Sequence, residues 1–312
     1  MFRLYLLPAL LCASPLVIPA QQPAPHAASK VEERAQSPIT VDVNRVNMMF
    51  TVADKRGRFI TNLGRDDIEI IEGKRPQNII EFAAESDLPL RLAIVIDTSN
   101  SIRERFRFQQ DAAVEFIKSA MRPQDKAVVI AFDTGAELIT DMTSDTAALE
   151  RGIRNLRPGG GTALYEAIYF AARDKLAQDQ PLHKFRRAMV ILSDGEDNQS
   201  RYTREQALEM TQKADAVVYT ISTNISRIET DGDKIMKYLA RETGGVAFFP
   251  FKVQDLAQSF ENIANELRHQ YSILYRPEPA KNDGLWHPVD IRVKNRKDLV
   301  VRARKGYYAP RG

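Results

Sequence analysis

Cysteine is almost missing from this sequence: its 312 residues include one, Cys12. That residue lies in an apolar leading stretch, Leu4 to Ile18. Once the stretch is removed, no disulfide, thiolate metal site or cysteine nucleophile can be built. Charge of one sign is missing too. Lys and Arg number 44 against 41 Asp and Glu, a formal net charge of +3, which is too even for an electrostatic hold on nucleic acid or a membrane surface. No basic block with interleaved aromatics occurs. The histidines, His26, His183, His269 and His287, are scattered, and neither an H-E-x-x-H helix nor a G-x-S-x-G elbow is present. Beyond the leading stretch no apolar run approaches the length of a membrane helix. What remains is an ordinary balance of apolar and charged residues, in which any chemistry rests on hydroxyls and carboxylates.

The chain divides by pattern. In residues 1–20, Arg3 precedes the apolar stretch and small residues precede Gln21, as in a secretory signal peptide cleaved after Ala20; this predicts a secreted or periplasmic mature chain. A membrane anchor fits less well, because Pro8, Pro15 and Pro19 interrupt a run already short for a span. Residues 21–38 have too little apolar content to pack and read as a flexible leader. In 39–88, Val41 and Val43, then Val46, Met48, Phe50 and Val52, alternate at period two with one shift of phase, predicting strands with a bulge. Turn signals lie at 55–58 and 72–74, and Asp87-Leu88-Pro89 is the exit. From 89 to 270, buried strands at Leu92–Ile96, Ala127–Phe132, Ala188–Leu192, Ala216–Ile221 and Val246–Phe249 alternate with helical patterns. One of those helices opens on a Thr203/Gln206 capping box. This alternation predicts a doubly wound, mostly parallel α/β sheet flanked by helices. Residues 271–312 return to strand patterns around Tyr271–Tyr275, Val289–Val293 and Val300–Ala303, with a turn at 281–284. A two-stranded piece alone is marginal, so the two flanking β segments are expected to form one small sandwich.

The strand at Leu92 ends in Asp97-Thr98-Ser99-Asn100-Ser101. The carboxyl edge of an open α/β sheet is where ligands bind. Two further loops at that edge carry oxygen: Gly159-Gly160-Gly161-Thr162 and Ser193-Asp194-Gly195. Singly, such hydroxyls cap helices and Asp-Gly makes turns. Together they supply only oxygen, the ligand type of hard divalent cations. Asp133, at another strand end, reads as a solvated acid, and Glu196, Asp197 and Asn198 as exposed loop residues.

The constellation resembles the metal-ion-dependent adhesion site of von Willebrand factor type A domains, a D-x-S-x-S loop with a distant Thr and a distant Asp. The likeness covers about Leu90 to Gln270 and implies a Mg²⁺ site, Mn²⁺ being possible, held by Asp97, Ser99, Ser101, Thr162 and Asp194. It also implies a protein partner whose acidic side chain completes the ion's shell, and a non-enzymatic, exported binding protein. The whole mature chain is similar to the secreted VWFA-related family of acidobacteria, including the ending Arg302-Ala303-Arg304-Lys305-Gly306-Tyr307-Tyr308. Two other readings stand beside this one. Asp97 followed by Thr98 and Ser99 is also the pattern of a Mg²⁺-dependent phosphotransferase nucleophile, although no second acid or Lys accompanies it and the glycine loop lacks a P-loop lysine. The third is an envelope scaffold with a vestigial metal site.

Overall fold

The computed structural model describes residues 45–84, 88–103, 106–224, 228–250 and 252–311. The signal peptide, the leader, Val41, Val43 and Asp87 lie outside these residues.

The chain first forms β1 (Val46–Asp54), β2 (Ile68–Glu72), β3 (Arg75–Gln77) and β4 (Ile79–Ala83). It then enters the α/β region with β5 (Leu90–Asp97), α1 (Phe106–Ala120), β6 (Lys126–Phe132), β7 (Ala136–Thr143), α2 (Thr146–Asn155) and α3 (Leu164–Phe170). The region continues through β8 (Arg186–Ser193), α4 (Arg204–Lys213), β9 (Ala216–Ser222), α5 (Asp231–Thr243), β10 (Ala247–Phe248) and α6 (Val253–Arg268). The tail adds β11 (Tyr271–Tyr275), β12 (Trp286–Val293), β13 (Leu299–Ala303) and β14 (Gly306–Tyr308).

Six strands form the central sheet in the order β10-β9-β8-β5-β6-β7. All neighbours are parallel except β6 and β7. Every residue of β5 is buried, because successive side chains alternate between two covered faces. Leu92, Ile94 and Ile96 pack against α1, α2 and α6, while Ala93 and Val95 pack against α3, α4 and α5. Phe116 and Phe260 stack between α1 and α6 with ring centroids 4.9 Å apart, a pairing worth about 1 kcal/mol beyond the area it buries. The capping box at Thr203 is formed in both directions, with the Gln206 N–H donating to Thr203 Oγ1 at 3.2 Å and the Thr203 N–H donating to Gln206 Oε1 at 2.9 Å.

The structure departs from the expected pattern in four places. An antiparallel edge strand, β7, follows β6 where the pattern predicts only a connection. α3 continues into a π-helical turn at Ala171–Leu176. The strand expected at Val246–Phe249 pairs over only Ala247 and Phe248. Turn 281–284 joins no hairpin: β11 and β12 lie in different sheets, so this segment carries the chain from one to the other.

Those two sheets are antiparallel and four-stranded, in the orders β13-β1-β11-β4 and β14-β12-β2-β3. Each mixes strands from both ends of the chain. Their inner residues, among them Met48, Phe50, Ile70, Ile273, Tyr275 and Ile291, form one buried cluster, as in a sandwich. The phase shift between Val43 and Val46 lies outside the described residues; within them the β11–β4 pairing shifts register between Leu274 and Tyr275. The outer face of β1 is also covered: Thr51 and Ala53 are buried, and Thr51 Oγ1 donates to Glu266 of α6 at 3.2 Å. From β13, Arg302 pairs with the same carboxylate at 3.2 Å. Arg304 reaches Asp215 and donates to the carbonyl of Asn47 at 2.6 Å.

Candidate functional site

The carboxyl edge of the central sheet gathers the three oxygen-bearing loops. Asp97, the last residue of β5, is fully buried. Its Oδ1 accepts the Ser99 N–H at 2.8 Å and its Oδ2 accepts the Ser193 hydroxyl at 2.7 Å. The Ser99 and Ser101 hydroxyls lie 3.0 Å apart, and Ser101 Oγ donates to Asp194 Oδ2 at 2.8 Å. Asp97, Ser99, Ser101 and Asp194 thus form one hydrogen-bonded run. Asp194 is fixed by its own turn, its Oδ1 accepting the Glu196 N–H at 3.1 Å. That turn requires glycine: Gly195 has φ +83°, and a Cβ there would stand 2.3 Å from the carbonyl oxygen of Gly232.

Thr162 is buried, and it joins the edge through its backbone. Its N–H donates to Asn198 Oδ1 at 3.1 Å, and its carbonyl accepts the N–H groups of Asn198 and Gln199 at 2.9 and 3.1 Å. Thr98 braces the other side, because its carbonyl accepts the Gly159 N–H at 2.6 Å and its hydroxyl donates to the Phe132 carbonyl at 3.0 Å. Asn100 Nδ2 adds a bond to the Gly160 carbonyl at 3.3 Å.

Glu196 and Asn198 are exposed loop residues as expected, whereas Asp197 is not. Asp197 is half-buried and accepts the Tyr165 N–H at 2.9 Å in the first turn of α3, while Asn198 holds Thr162. Asp133 is likewise half-buried and lies beside the glycine loop, within 2.8 Å of where a Cβ on Gly160 would sit. The Asp197/Ser200 pair is a local Asx pattern in which Ser200 Oγ donates to Asp197, whereas the bond from Thr162 to Asn198 has no such local signal.

Burial pushes the Asp97 carboxyl up to about 6, against its hydrogen bonds from Ser99 and Ser193, and the negative charge of Asp194 adds to the rise. No group of three or more His, Cys, Asp or Glu is gathered among the described residues. The bonds above bring together two carboxylates and the hydroxyls of Ser99 and Ser101, while Thr162 joins them through its backbone alone. A buried carboxylate facing a second carboxylate is a costly arrangement unless a cation offsets it. Hard oxygen donors on both acids and the serines fit a divalent ion, so the residues present suit the group that the resemblance implies.

A six-stranded, doubly wound sheet with helices on both faces and its polar side chains collected at the carboxyl edge defines an α/β binding domain rather than a barrel or a bundle. Residues 92–196 match the family model described as von Willebrand factor type A domain, and the chain carries a domain of that family. Among curated proteins, von Willebrand factor A domain-containing protein 3B of Homo sapiens is 26% identical over 168 residues, 52% of this chain but 12% of that protein. The chain therefore spans a small part of that relative's length. Among solved structures, a von Willebrand factor type A protein from Catenulispora acidiphila aligns over 86% of this chain and 75% of its own at TM-score 0.51 and 13% identity. Proximal thread matrix protein 1 from the mussel byssus, solved with a zinc-occupied MIDAS motif, aligns over 63% of this chain and 49% of its own at TM-score 0.50 and 14% identity. At such identities the likeness is one of fold. Von Willebrand factor A domains commonly mediate protein–protein interactions. No helix among the described residues is long and apolar enough to cross a membrane.

Proposed function

We propose that this protein is an exported, non-enzymatic binding protein. In this reading Asp97, Ser99, Ser101, Thr162 and Asp194 hold a divalent cation, Mg²⁺ or Mn²⁺, and a protein partner is captured through an acidic side chain. Residues 89–270 act as the binding domain, inserted between the β segments 39–88 and 271–312. The observation that carries the reading is Asp97, a fully buried carboxylate surrounded by hydroxyls and a second acid. A bound divalent ion would supply positive charge at the sheet edge and an open position for a partner's carboxylate. This chain's own residues do the rest: Ser193 and the Ser99 backbone aim the Asp97 carboxylate, and Asn198 positions the Thr162 loop. The zinc-occupied MIDAS motif of the mussel protein supports a divalent ion on this fold. Phosphoryl transfer is disfavoured, because among the described residues no lysine or arginine pairs with Asp97 or Asp194 to take up the charge of a phosphoryl group.

The test is thermal unfolding of the full chain in chelator and in excess Mg²⁺ or Mn²⁺. At a hundredfold excess over Kd, an ion that binds only the folded state adds about 2.7 kcal/mol. Asp97→Asn should abolish that gain while leaving the circular dichroism spectrum unchanged. An ion-dependent gain that persists in Asp97→Asn, or the absence of any gain in the wild type, would show that these residues do not form the site.

A further inference from the structure

One cavity of the molecule shares no lining residue with the loops of the sheet's carboxyl edge. It holds about 680 Å³ and opens between the end of α4, the start of β1 and the C-terminal stretch from Arg304 to Arg311. That volume falls within the range of small-molecule sites, which favour such junctions.

Its charges do not balance. Four cationic side chains line it, those of Arg45, Lys213, Arg304 and Arg311, against two carboxylates, Glu209 and Asp215. Both acids are already spent: Glu209 pairs with Lys213 at 2.6 Å, and Asp215 is taken by Arg304. Asp283, whose backbone bridges to that of Arg311, gives its carboxylate to His287 at 2.9 Å. Among the described residues, then, neither Arg45 nor Arg311 has an acidic partner, and both residues line one cavity.

Arg45 and Arg311 are both exposed, and Arg311 runs along the cavity rim. Its stem crosses Gly284, where φ is +70° and a Cβ would stand 2.5 Å from Arg311 Cγ. The Tyr308 ring is held in place at the cavity's side, with Lys213 Nζ 5.1 Å and the Trp286 ring 5.0 Å from its centroid. Arginine forks recognise planar or tetrahedral oxyanions with paired hydrogen bonds, and two unpartnered forks call for two negative charges.

We infer that this cavity is a second ligand site, specific for a small organic molecule that carries a multiply charged oxyanion, phosphoryl or polycarboxylate. Arg45 and Arg311 bind the anionic end, and the stretch from Tyr307 to Pro310 lines the space left for the rest of the molecule. The site is independent of the cation-binding edge, so the two readings stand or fall separately.

The experiment is calorimetric titration of the full chain, stripped with chelator and dialysed, with pyrophosphate and separately with citrate at low ionic strength. Wild type should bind at least one of them saturably at one site, and the one it binds identifies the headgroup as phosphoryl or carboxylate. Arg45→Gln/Arg311→Gln should weaken binding on the order of a hundredfold, about tenfold for each guanidinium fork removed from the anion, with an unchanged unfolding curve. Asp97→Asn should bind as wild type does. The inference is overturned if wild type binds neither anion, if the double variant binds as tightly as wild type, or if Asp97→Asn also loses binding.

Discussion

Removing the Arg302 side chain should cost the protein far more than a surface arginine normally does. Its partner, Glu266, sits on α6 with its side chain 3% exposed, and is held from two sides: Arg302 Nη1 and Thr51 Oγ1 donate to its two oxygens, each at 3.2 Å. Burial raises the Glu266 carboxyl above its ordinary range, and the charge of Arg302 opposes that rise. Arg302→Ala therefore leaves a buried carboxylate with one hydroxyl. Stripping one partner from a fully buried pair costs about 3–5 kcal/mol, but the Arg302 side chain is 32% exposed, and solvent screening brings the expectation to about 2–3 kcal/mol. The dependence on pH has a definite sign. A carboxyl with a raised folded-state pKa holds its proton while the unfolded chain releases its own, so stability falls as pH rises from the ordinary glutamate range through the folded value. Without Arg302 that window extends further upward. The loss measured by urea denaturation should thus be larger near pH 8 than near pH 5, and Glu266→Gln in the Arg302→Ala background should recover most of it. Equal losses at the two pH values, or no recovery with glutamine, would refute the reasoning.

Two further substitutions probe the site's scaffolding. Gly195→Ala forces a Cβ against the Gly232 carbonyl at a left-handed position; it should destabilise the fold by more than ~2 kcal/mol in thermal unfolding, where a tolerant turn would show almost no change. Asp197→Ala frees the Tyr165 N–H and the loop that carries Asn198; Mn²⁺ affinity should fall about tenfold or more with the fold retained, the usual effect of losing an outer-shell support, and unchanged affinity would count against the bracing role.

The parts of this fold that could be read from the sequence were those where burial is complete. β5, β6, β8 and β9 are covered on both faces, so their apolar runs are unbroken. β7 was not legible because it is an edge: Ala136-Glu137-Leu138-Ile139-Thr140 alternates poorly, and no residue of the strand is fully buried. Arg186 and Arg187 hid the start of β8, since buried arginines look like loop residues until their partners are known; Arg187 donates to the carbonyl of Leu176 at 2.7 Å. At the candidate site, the side chains could be placed on three loops, but the bonds that tie those loops together could not. Thr162 is held by Asn198 and Asp97 is aimed by Ser193, bonds across 36 and 96 residues that no local pattern encodes.

The connectivity of the sandwich also sets an order of events during synthesis. β4 and β11 are hydrogen-bonded neighbours, with Ala83 opposite Ser272, yet the whole α/β region lies between them in the chain. A ribosome therefore releases β1–β4 long before the strands that complete both of their sheets. In the interval those strands have open edges, and as an unfolded loop the intervening stretch would make closure entropically expensive. Once folded, the α/β region brings its own entry and exit together, so that β11 arrives already beside β4. The binding domain thus acts as the sandwich's folding jig, and a mutation that slows its folding should expose β1–β4 to aggregation although it touches none of them.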